Sequence, residues 1–258
     1  MLVTTSYNPS QEIVDKAEHL AGVYGGRIVP RGKYSLELLR KNYNDPSLLL
    51  VTREEIRYYE DDHAPAFFHP SMALVRIKRM LRGESDLLME ASSAATGDTV
   101  VDCTAGLASD AIVFSFAVGP QGHVTAIESE RVPAMLIQEG LASYHSEIAE
   151  LNEAMRRITV HRMHHLAYLQ GLASKSVDIV YFDPMFRKPI EESHAMSHLR
   201  RNANDEAIAS ASIEEAKRVA RKSIVLKENR DSKEFARLGF EHVLRSTTKT
   251  TYGVIRLC

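Results

Sequence analysis

The sequence lacks most of the features that mark secreted or membrane proteins. It has only two cysteines, Cys103 and Cys258, which form no plausible disulfide framework and fit a reducing cytosol. Its apolar runs all fall short of the ~18 residues that a membrane span needs. Residues 1–6 lack the basic region and the apolar core of a signal peptide. We therefore expect a cytoplasmic protein with no membrane partner.

The chain also lacks a strong charge of one sign and any internal repeat. Its formal net charge is −2, so a surface that binds nucleic acid has to be a local patch. At 258 residues the chain is long enough for one large domain and a smaller one. We expect a small α/β domain over residues 1–69 and a larger domain over residues 70–258.

The central stretch of the larger domain runs from residue 99 to residue 110. Residues 99–102 are rich in valine and predict a buried strand that ends at Asp102. Gly106 allows a sharp turn and the close approach of a ligand. Ser109 and Asp110 then cap or start a helix. A strand, a turn of small residues and a helix N-terminus together predict a ligand cradle that includes Thr104 and Gly106.

The rest of the larger domain alternates between strands and helices. Apolar, β-branched segments predict further strands at 123–128, 158–161, 177–183 and 223–227. Helices are predicted at about 71–94, where Gly83 is a candidate interruption, and at 133–144 and 205–222, and a terminal hairpin at 241–257. This order predicts an α/β fold with a doubly wound, mostly parallel sheet that ends in an antiparallel hairpin.

Acidic residues follow three of the predicted strands. Asp102, Glu128 and Asp183 each end a strand, and parallel strands bring their carboxyl ends to one edge of the sheet, where ligands bind. Asp102 either caps the turn or belongs to the cofactor site. Glu128 lies about twenty residues after the glycine turn, where an acid bonds ribose hydroxyls. The pattern indicates an adenosyl ligand.

The turn and the fourth strand distinguish between two cofactors. A dinucleotide site needs several glycines to admit a pyrophosphate, whereas this turn has one. S-adenosylmethionine has no phosphate and tolerates such a turn. Asp183–Phe186 reads Asp-Pro-Met-Phe and resembles the D/N-P-P-Y/F motif of class I amino-methyltransferases. In that motif the acid and the following backbone accept hydrogen bonds from an exocyclic amine, and the aromatic residue stacks on the base.

The larger domain is more specifically similar to the RsmJ family of small-subunit ribosomal RNA guanine-N2 methyltransferases. Residues 102–111, Ile127-Glu128 and Asp183–Phe186 carry the resemblance, and the Asp-Pro-Met-Phe form is its most specific element. The resemblance implies a class I Rossmann-like fold, S-adenosylmethionine as the methyl donor and an RNA guanine as the acceptor.

The resemblance also implies a set of site residues. The cofactor contacts carried over by motif are Ser109, Asp110, Glu128, Ser129, His164, His165 and Asp183. Asp183, Pro184 and Phe186 would act on the acceptor base. The chain departs from the family at Ala108-Ser109, where the family has Gly-Arg, and at His164-His165, where it has two serines.

Basic residues near the motif are candidate contacts to RNA phosphates. They are Arg187, Lys188, Arg200 and Arg201. The basic face of the helix at 71–94, with Arg76, Lys78, Arg79 and Arg82, is either solvated or a further phosphate patch. The segment 191–204 is either an ordinary loop or a lid over the base.

Other functions stay open at this point. The sequence permits methyl transfer to a tRNA, protein or small-molecule amine, a nucleotide-binding module without catalysis, or a nicotinamide-dependent oxidoreductase. The histidines at 161, 164 and 165 lack a cysteine or paired acids to complete a metal site, so we expect no metal. The oligomeric state is left open.

Overall fold

The computed structural model describes residues 1–61, 63–184, 207–240, 242–244 and 248–257. The chain divides into two compact units. One contains Met1–His69 together with Met135–Tyr144, and the other contains the described parts of 70–134, 145–191 and 203–258. The two sequence-based domains, 1–69 and 70–258, stay a prediction.

The first unit is built on a five-stranded sheet with the order β2-β1-β3-β4-β5. Its elements are β1 (Leu2–Thr5), α1 (Gln11–Tyr24), β2 (Arg27–Ile28), α2 (Leu36–Tyr43), β3 (Ser47–Val51), β4 (Ile56–Glu60) and β5 (Ala66–Phe67). Strand β1 pairs in parallel with β2 and β3, and the other pairs are antiparallel. Helix α1 ends at Tyr24, and Gly25 supplies its left-handed cap with φ 60°.

The second unit begins with helices and then alternates strand and helix. The elements that follow in the chain are α3 (Ser71–Leu81), α4 (Leu87–Ser92), β6 (Thr99–Asp102), α5 (Ser109–Val118), β7 (His123–Glu128), α6 (Arg131–Ser143), α7 (Ala149–Arg156), β8 (Ile158–Arg162), α8 (His165–Gly171), β9 (Val177–Phe182), α9 (Ser210–Val219), β10 (Ala220–Asn229), α10 (Glu234–Arg237), β11 (His242–Val243) and β12 (Thr250–Arg256). From Met135 onward, α6 belongs to the first unit. In the described part of the chain, none of these helices meets the length and apolarity required to cross a membrane.

The seven strands of the second unit form one sheet with the order β11-β12-β10-β9-β6-β7-β8. Strands β6 to β10 pair in parallel, and β12 is antiparallel to both β10 and β11. From β6 the chain winds outward through β7 and β8, and β9 then returns to the other side of β6. The carboxyl ends of β6 and β9 therefore flank the switch point, where ligands bind in doubly wound sheets. The predicted doubly wound sheet and its antiparallel end are confirmed.

Strand β9 shows how the sheet is covered on both faces. All six of its residues are buried. Val180 and Phe182 pack into an apolar cluster with side chains from α8, α9 and α10. Tyr181 points the other way, and its ring lies 5.4 Å from that of Phe114 in α5. The alternation of side chains along a strand thus gives β9 a helical layer on each side.

Three segments of this unit differ from the sequence-based prediction. The helix expected over 71–94 is two helices, because Gly83 adopts φ 83° between α3 and α4. Helices α7 and α8 were not predicted, since they are only 8 and 7 residues long. Strand β10 begins at Ala220 rather than at Ser223, because Ala220 already pairs with Val177 ahead of an irregularity in the register.

We predict that Gly253→Ala destabilises the protein by about 1–3 kcal/mol. A Cβ at Gly253 in β12 would lie 2.5 Å from the ring of Phe235, which overpacks the core. Urea unfolding followed by circular dichroism measures the effect. Gly171→Ala is the matched control, since a Cβ there would meet nothing within 4 Å. Equal unfolding midpoints for the two variants would contradict this packing.

Candidate active site at the carboxyl edge of the large sheet

The turn after β6 is held by the two strands on either side. The N–H of Cys103 donates to the carbonyl of Tyr181 in β9 at 2.9 Å, and that of Ala105 donates to Ile127 in β7 at 3.0 Å. A Cβ added at Gly106 would meet nothing within 4 Å, so the turn faces open space there. The turn is therefore fixed by β7 and β9 and open to a ligand at Gly106.

Helix α5 starts directly from this turn without a side-chain cap. Its N-cap residue is Ala108, which adopts the left-handed conformation at φ 61°. Glycine is the residue that adopts this conformation without strain, and the RsmJ pattern has glycine at this position. Ser109 and Asp110 are the first two residues of the helix, so they start it and do not cap it.

Asp102 and Thr104 fix the turn to the end of β9. Asp102 is 1% exposed and accepts a hydrogen bond from the N–H of Thr104 at 3.1 Å. Burial, with the nearby charge of Asp110, raises the pKa of Asp102 well above its usual value. The hydroxyl of Thr104 in turn accepts from the N–H of Asp183. The geometry thus favours the turn-capping alternative for Asp102.

Glu128 connects the end of β7 to the glycine turn. Its carboxylate accepts from the N–H of Gly106 at 3.0 Å and from that of Glu130 at 2.8 Å. The side chain is half-buried, and burial raises the pKa of Glu128. Each carboxylate oxygen has a second lone pair that can accept a ligand hydroxyl. Ser129, beside it, donates to the side chain of Glu130 at 3.2 Å.

Asp110 is buried and paired with two cations. Arg76 of α3 contacts it and also holds Asp86 through two hydrogen bonds of 2.7 Å. Lys227 of β10 lies 3.1 Å from Asp110, and the hydroxyl of Tyr181 donates to it at 2.8 Å. Burial acts to raise the pKa of Asp110, but the two cations outweigh it and hold that pKa below its usual value. Arg76 is therefore paired with acids inside the protein and is not part of the basic helix face that the sequence predicts.

Asp183 stands at the carboxyl end of β9 beside the turn. Its carboxylate accepts a hydrogen bond from the ammonium of Lys227 at 2.7 Å, and its side chain remains 25% exposed. Burial raises the pKa of Asp183 to about 6, against the opposing charge of Lys227. Pro184 follows it and is partly exposed. Asp183 is thus a carboxylate that still reaches the crevice above the sheet.

Two stacked histidines lie after β8 at the same edge. The rings of His164 and His165 are 4.3 Å apart, and His164 caps α8 by accepting from the N–H of Leu166 at 3.2 Å. His165 lies 3.1 Å from the hydroxyl of Ser212 and against the ring of Phe182. Burial and the neighbouring His164 lower the pKa of His165 to about 4. Its ring is therefore neutral at pH 7.

The structure brings together most of the residues that the sequence singled out. Asp102, Thr104, Gly106, Ser109, Asp110, Glu128, Ser129, His164, His165, Asp183 and Pro184 all lie on or directly after the carboxyl ends of neighbouring strands. Phe186, Arg187, Lys188, Arg200, Arg201 and the candidate lid lie outside the described residues. Sequence reasoning missed Arg76, Tyr181 and Lys227 as members of this network. Lys227 did carry a signal, since it is a charged residue near the carboxyl end of the fifth strand.

The charges around the turn fit one adenosyl cofactor better than another. Four carboxylates lie at this edge, from Asp102, Asp110, Glu128 and Asp183. Two described cations that contact these acids, Arg76 and Lys227, are held in ion pairs. An anionic pyrophosphate would meet repulsion here, whereas the sulfonium and ammonium groups of S-adenosylmethionine would be attracted. Among the described residues, no three His, Cys, Asp or Glu side chains form a metal-binding group.

Comparison with known proteins identifies the family. A family model described as "Putative SAM-dependent methyltransferase" matches residues 34–252. The chain belongs to this family of S-adenosylmethionine-dependent methyltransferases. It is also 41% identical over 255 residues, 99% of both chains, to the uncharacterized protein YpiP of Bacillus subtilis strain 168.

Other relatives support the likeness to the RsmJ family. Ribosomal RNA small subunit methyltransferase J of Actinobacillus succinogenes is 34% identical over 133 residues, which is 50% of each chain. That of Neisseria meningitidis is 30% identical over 162 residues, 59% of this chain and 61% of the relative. The predicted RsmJ-like identity and the methyl-donor cofactor are confirmed.

A solved structure shows the same fold. The S-adenosylmethionine-dependent methyltransferase NGO1261 of Neisseria gonorrhoeae superposes with a TM-score of 0.66 over 99% of this chain and 96% of its own, at 18% identity. This likeness confirms the predicted class I Rossmann-like fold.

We predict that Glu128→Ala raises the Kd for S-adenosylmethionine about 10- to 100-fold, because it removes a carboxylate acceptor beside the turn. Isothermal titration calorimetry measures the affinity. Glu150→Ala is the control, since Glu150 lies at an exposed position in the first turn of α7. Unchanged affinity in Glu128→Ala would exclude Glu128 from the cofactor site.

Proposed function

We propose that this methyltransferase transfers the methyl group to the exocyclic N2 amine of a guanosine in small-subunit ribosomal RNA. The observation that carries the proposal is Asp183-Pro184 at the end of β9, with its carboxylate held by Lys227 and partly exposed to the crevice. The relatives named as ribosomal RNA small subunit methyltransferases support the choice of RNA. With such an acceptor, the protein would act in the cytoplasm and RNA would be its partner.

The chemical problem at this site is the low nucleophilicity of the acceptor. The lone pair of a guanine amine is delocalised into the ring. Hydrogen bonds from the amine N–H groups to the Asp183 carboxylate and the Pro184 carbonyl would concentrate that lone pair on nitrogen. Bound S-adenosylmethionine supplies a methyl group already activated by its sulfonium centre. The protein then has mainly to align the amine for an in-line displacement.

Asp183 is also suited to take the proton that the reaction releases. When the amine nitrogen forms its bond to the methyl carbon, the carbon–sulfur bond breaks and its electron pair stays on sulfur. The nitrogen then loses one proton, and we propose that the Asp183 carboxylate accepts this proton. A carboxylate with a pKa of about 6 is ionised at pH 7 and is a stronger base than an ordinary aspartate.

The remaining site residues divide between the cofactor and the RNA. We assign Thr104, Gly106, Ser109, Asp110, Glu128, Ser129, His164, His165 and Asp183 to the cofactor, with Asp102 and Asp110 acting through the turn and helix they hold. Phe186 would stack on the base, a contact worth about 1–3 kcal/mol. Arg187, Lys188, Arg200 and Arg201 would contact phosphates. A guanosine within a duplex would have to be flipped out.

Transfer of radiolabel from S-adenosylmethionine tests the proposal. The acceptors are small-subunit rRNA and the intact small subunit, both from cells that lack the protein. We expect label in N2-methylguanosine, reduced at least about 100-fold by Asp183→Asn, which removes the basic carboxylate and keeps the side-chain size. Asp15→Asn, at an exposed position in α1, is the control and should retain full activity.

Two outcomes would contradict the proposal. Label in another nucleoside, in tRNA or in protein would move the activity to a different amine. Full activity in Asp183→Asn would remove Asp183 from the reaction.

We further predict that single-turnover methyl transfer rises with pH through about 6 and is level above pH 7. The carboxyl of Asp183 is protonated below its pKa of about 6 and then cannot take the amine proton. The measurement is a pH–rate profile at saturating cofactor. A rate that is level down to pH 5 would contradict this role.

A further inference from the structure

Lys227 is a cation placed between two acids inside the proposed active site. Its ammonium lies 2.7 Å from a carboxylate oxygen of Asp183 and 3.1 Å from one of Asp110. The side chain is 23% exposed. Burial acts to lower the pKa of Lys227, but the two acids outweigh it and raise that pKa above its usual value. Lys227 therefore stays charged at neutral pH.

The second acid of the pair has a further cation of its own. Asp110 is contacted by Arg76 as well as by Lys227, and it also accepts from the hydroxyl of Tyr181. Among the ion pairs that join described residues, Lys227 is the partner of Asp183. The two acids thus share Lys227, but Asp110 has Arg76 as a second cation in addition.

We propose that Lys227 is the positioning residue of the transfer reaction: it keeps the Asp183 carboxylate ionised and fixes its orientation toward the acceptor amine. This inference rests on the role of Asp183 in the proposed function. The acid of the Asp-Pro-Met-Phe motif then depends on a residue more than 40 positions later in the chain, on the neighbouring strand β10.

The other charged and titratable groups around Asp183 make this cation necessary. Asp110 from α5 acts against ionisation of Asp183, and the charge of Asp183 in turn raises the pKa of the buried Asp102 in β6. Tyr181 in β9 and Tyr252 in β12 face the same cluster, and burial raises the pKa of both hydroxyls, so they remain neutral. Arg76 from α3 is engaged by Asp86 and Asp110. Without Lys227, Asp183 would be a buried acid among other acids, which favours the protonated form.

Lys227 is not a proton carrier in this account. Because it keeps its proton throughout, it cannot accept one from the methylated amine. Its effect is to stabilise the ionised form of Asp183 before transfer and to hold one of its oxygens at 2.7 Å. Lys227 thus orients the Asp183 carboxylate before the substrate binds.

The pKa of Asp183 tests this directly and needs no substrate. Carboxyl ¹³C NMR of protein labelled at aspartate Cγ follows the titration, with the Asp183 signal assigned by its loss in Asp183→Asn. We expect Lys227→Met and Lys227→Gln to raise the pKa of Asp183 by about one pH unit or more, and Lys227→Arg to restore most of the wild-type value. Asp110→Asn should shift it the other way, because it removes a neighbouring negative charge.

Lys222→Met is the matched control for these variants. Lys222 lies on the same strand and pairs with the buried Asp98, but at the other end of β10. It should leave the pKa of Asp183 unchanged. An unchanged Asp183 pKa in both Lys227→Met and Lys227→Gln, or an equal shift in Lys222→Met, would overturn the inference.

The pH–rate profile then connects the cation to catalysis. In Lys227→Met the acid limb should move to higher pH by the same amount as the NMR pKa, and Lys227→Arg should recover it. A shifted NMR pKa with an unshifted rate profile would overturn the catalytic part of the inference. If wild-type protein transfers no methyl group to rRNA, the proposed function fails, while the NMR titration still decides the role of Lys227.

Discussion

The buried carboxylate of Asp110 is the contact on which the active-site edge depends. It stands in the first turn of α5, where a negative charge is favoured by the helix dipole. From there it joins α3 through Arg76, β9 through Tyr181 and β10 through Lys227. One acid thus links four elements that are far apart in sequence, and its partners place the cation that contacts Asp183. Removing it would leave two buried cations short of a partner, which is costly.

The parts of the fold and site that follow from local patterns were predictable. The buried valines of β6, the apolar run of β9 and the acid spaced after the glycine turn each carry their signal within a few residues. The carboxyl ends of parallel strands then bring Asp102, Glu128 and Asp183 to one edge. These positions follow from strand direction alone, so they did not require knowledge of side-chain contacts.

The parts that depend on long-range pairing were not predictable. Arg76 is one of four basic residues in the helix predicted over 71–94, and nothing in its neighbours distinguishes it as the one that contacts Asp86 and Asp110. Lys227 is separated from Asp183 by 44 positions and from Asp110 by 117. The left-handed conformation of Ala108 was not predictable either, because alanine rarely adopts it. For Asp102, the burial and the hydrogen bond from the N–H of Thr104 favour the turn-capping alternative, and neither could be read from the sequence.

The charge pattern explains the choice of cofactor in this family member. The carboxylates at the sheet edge suit a cationic methyl donor, and two described cations beside them, Arg76 and Lys227, are held in ion pairs with acids. The neutral His165 adds no positive charge to this edge. In the proposed reaction Asp183 has to be ionised among these acids, and we propose that Lys227 keeps it so.

The most direct measurement of the central claim is nucleoside mass spectrometry of small-subunit rRNA from cells with and without this protein. The account predicts that one N2-methylguanosine disappears from the rRNA of the deleted strain and returns when the wild-type gene is restored, but not with Asp183→Asn. An rRNA nucleoside profile that is identical in the two strains would contradict it.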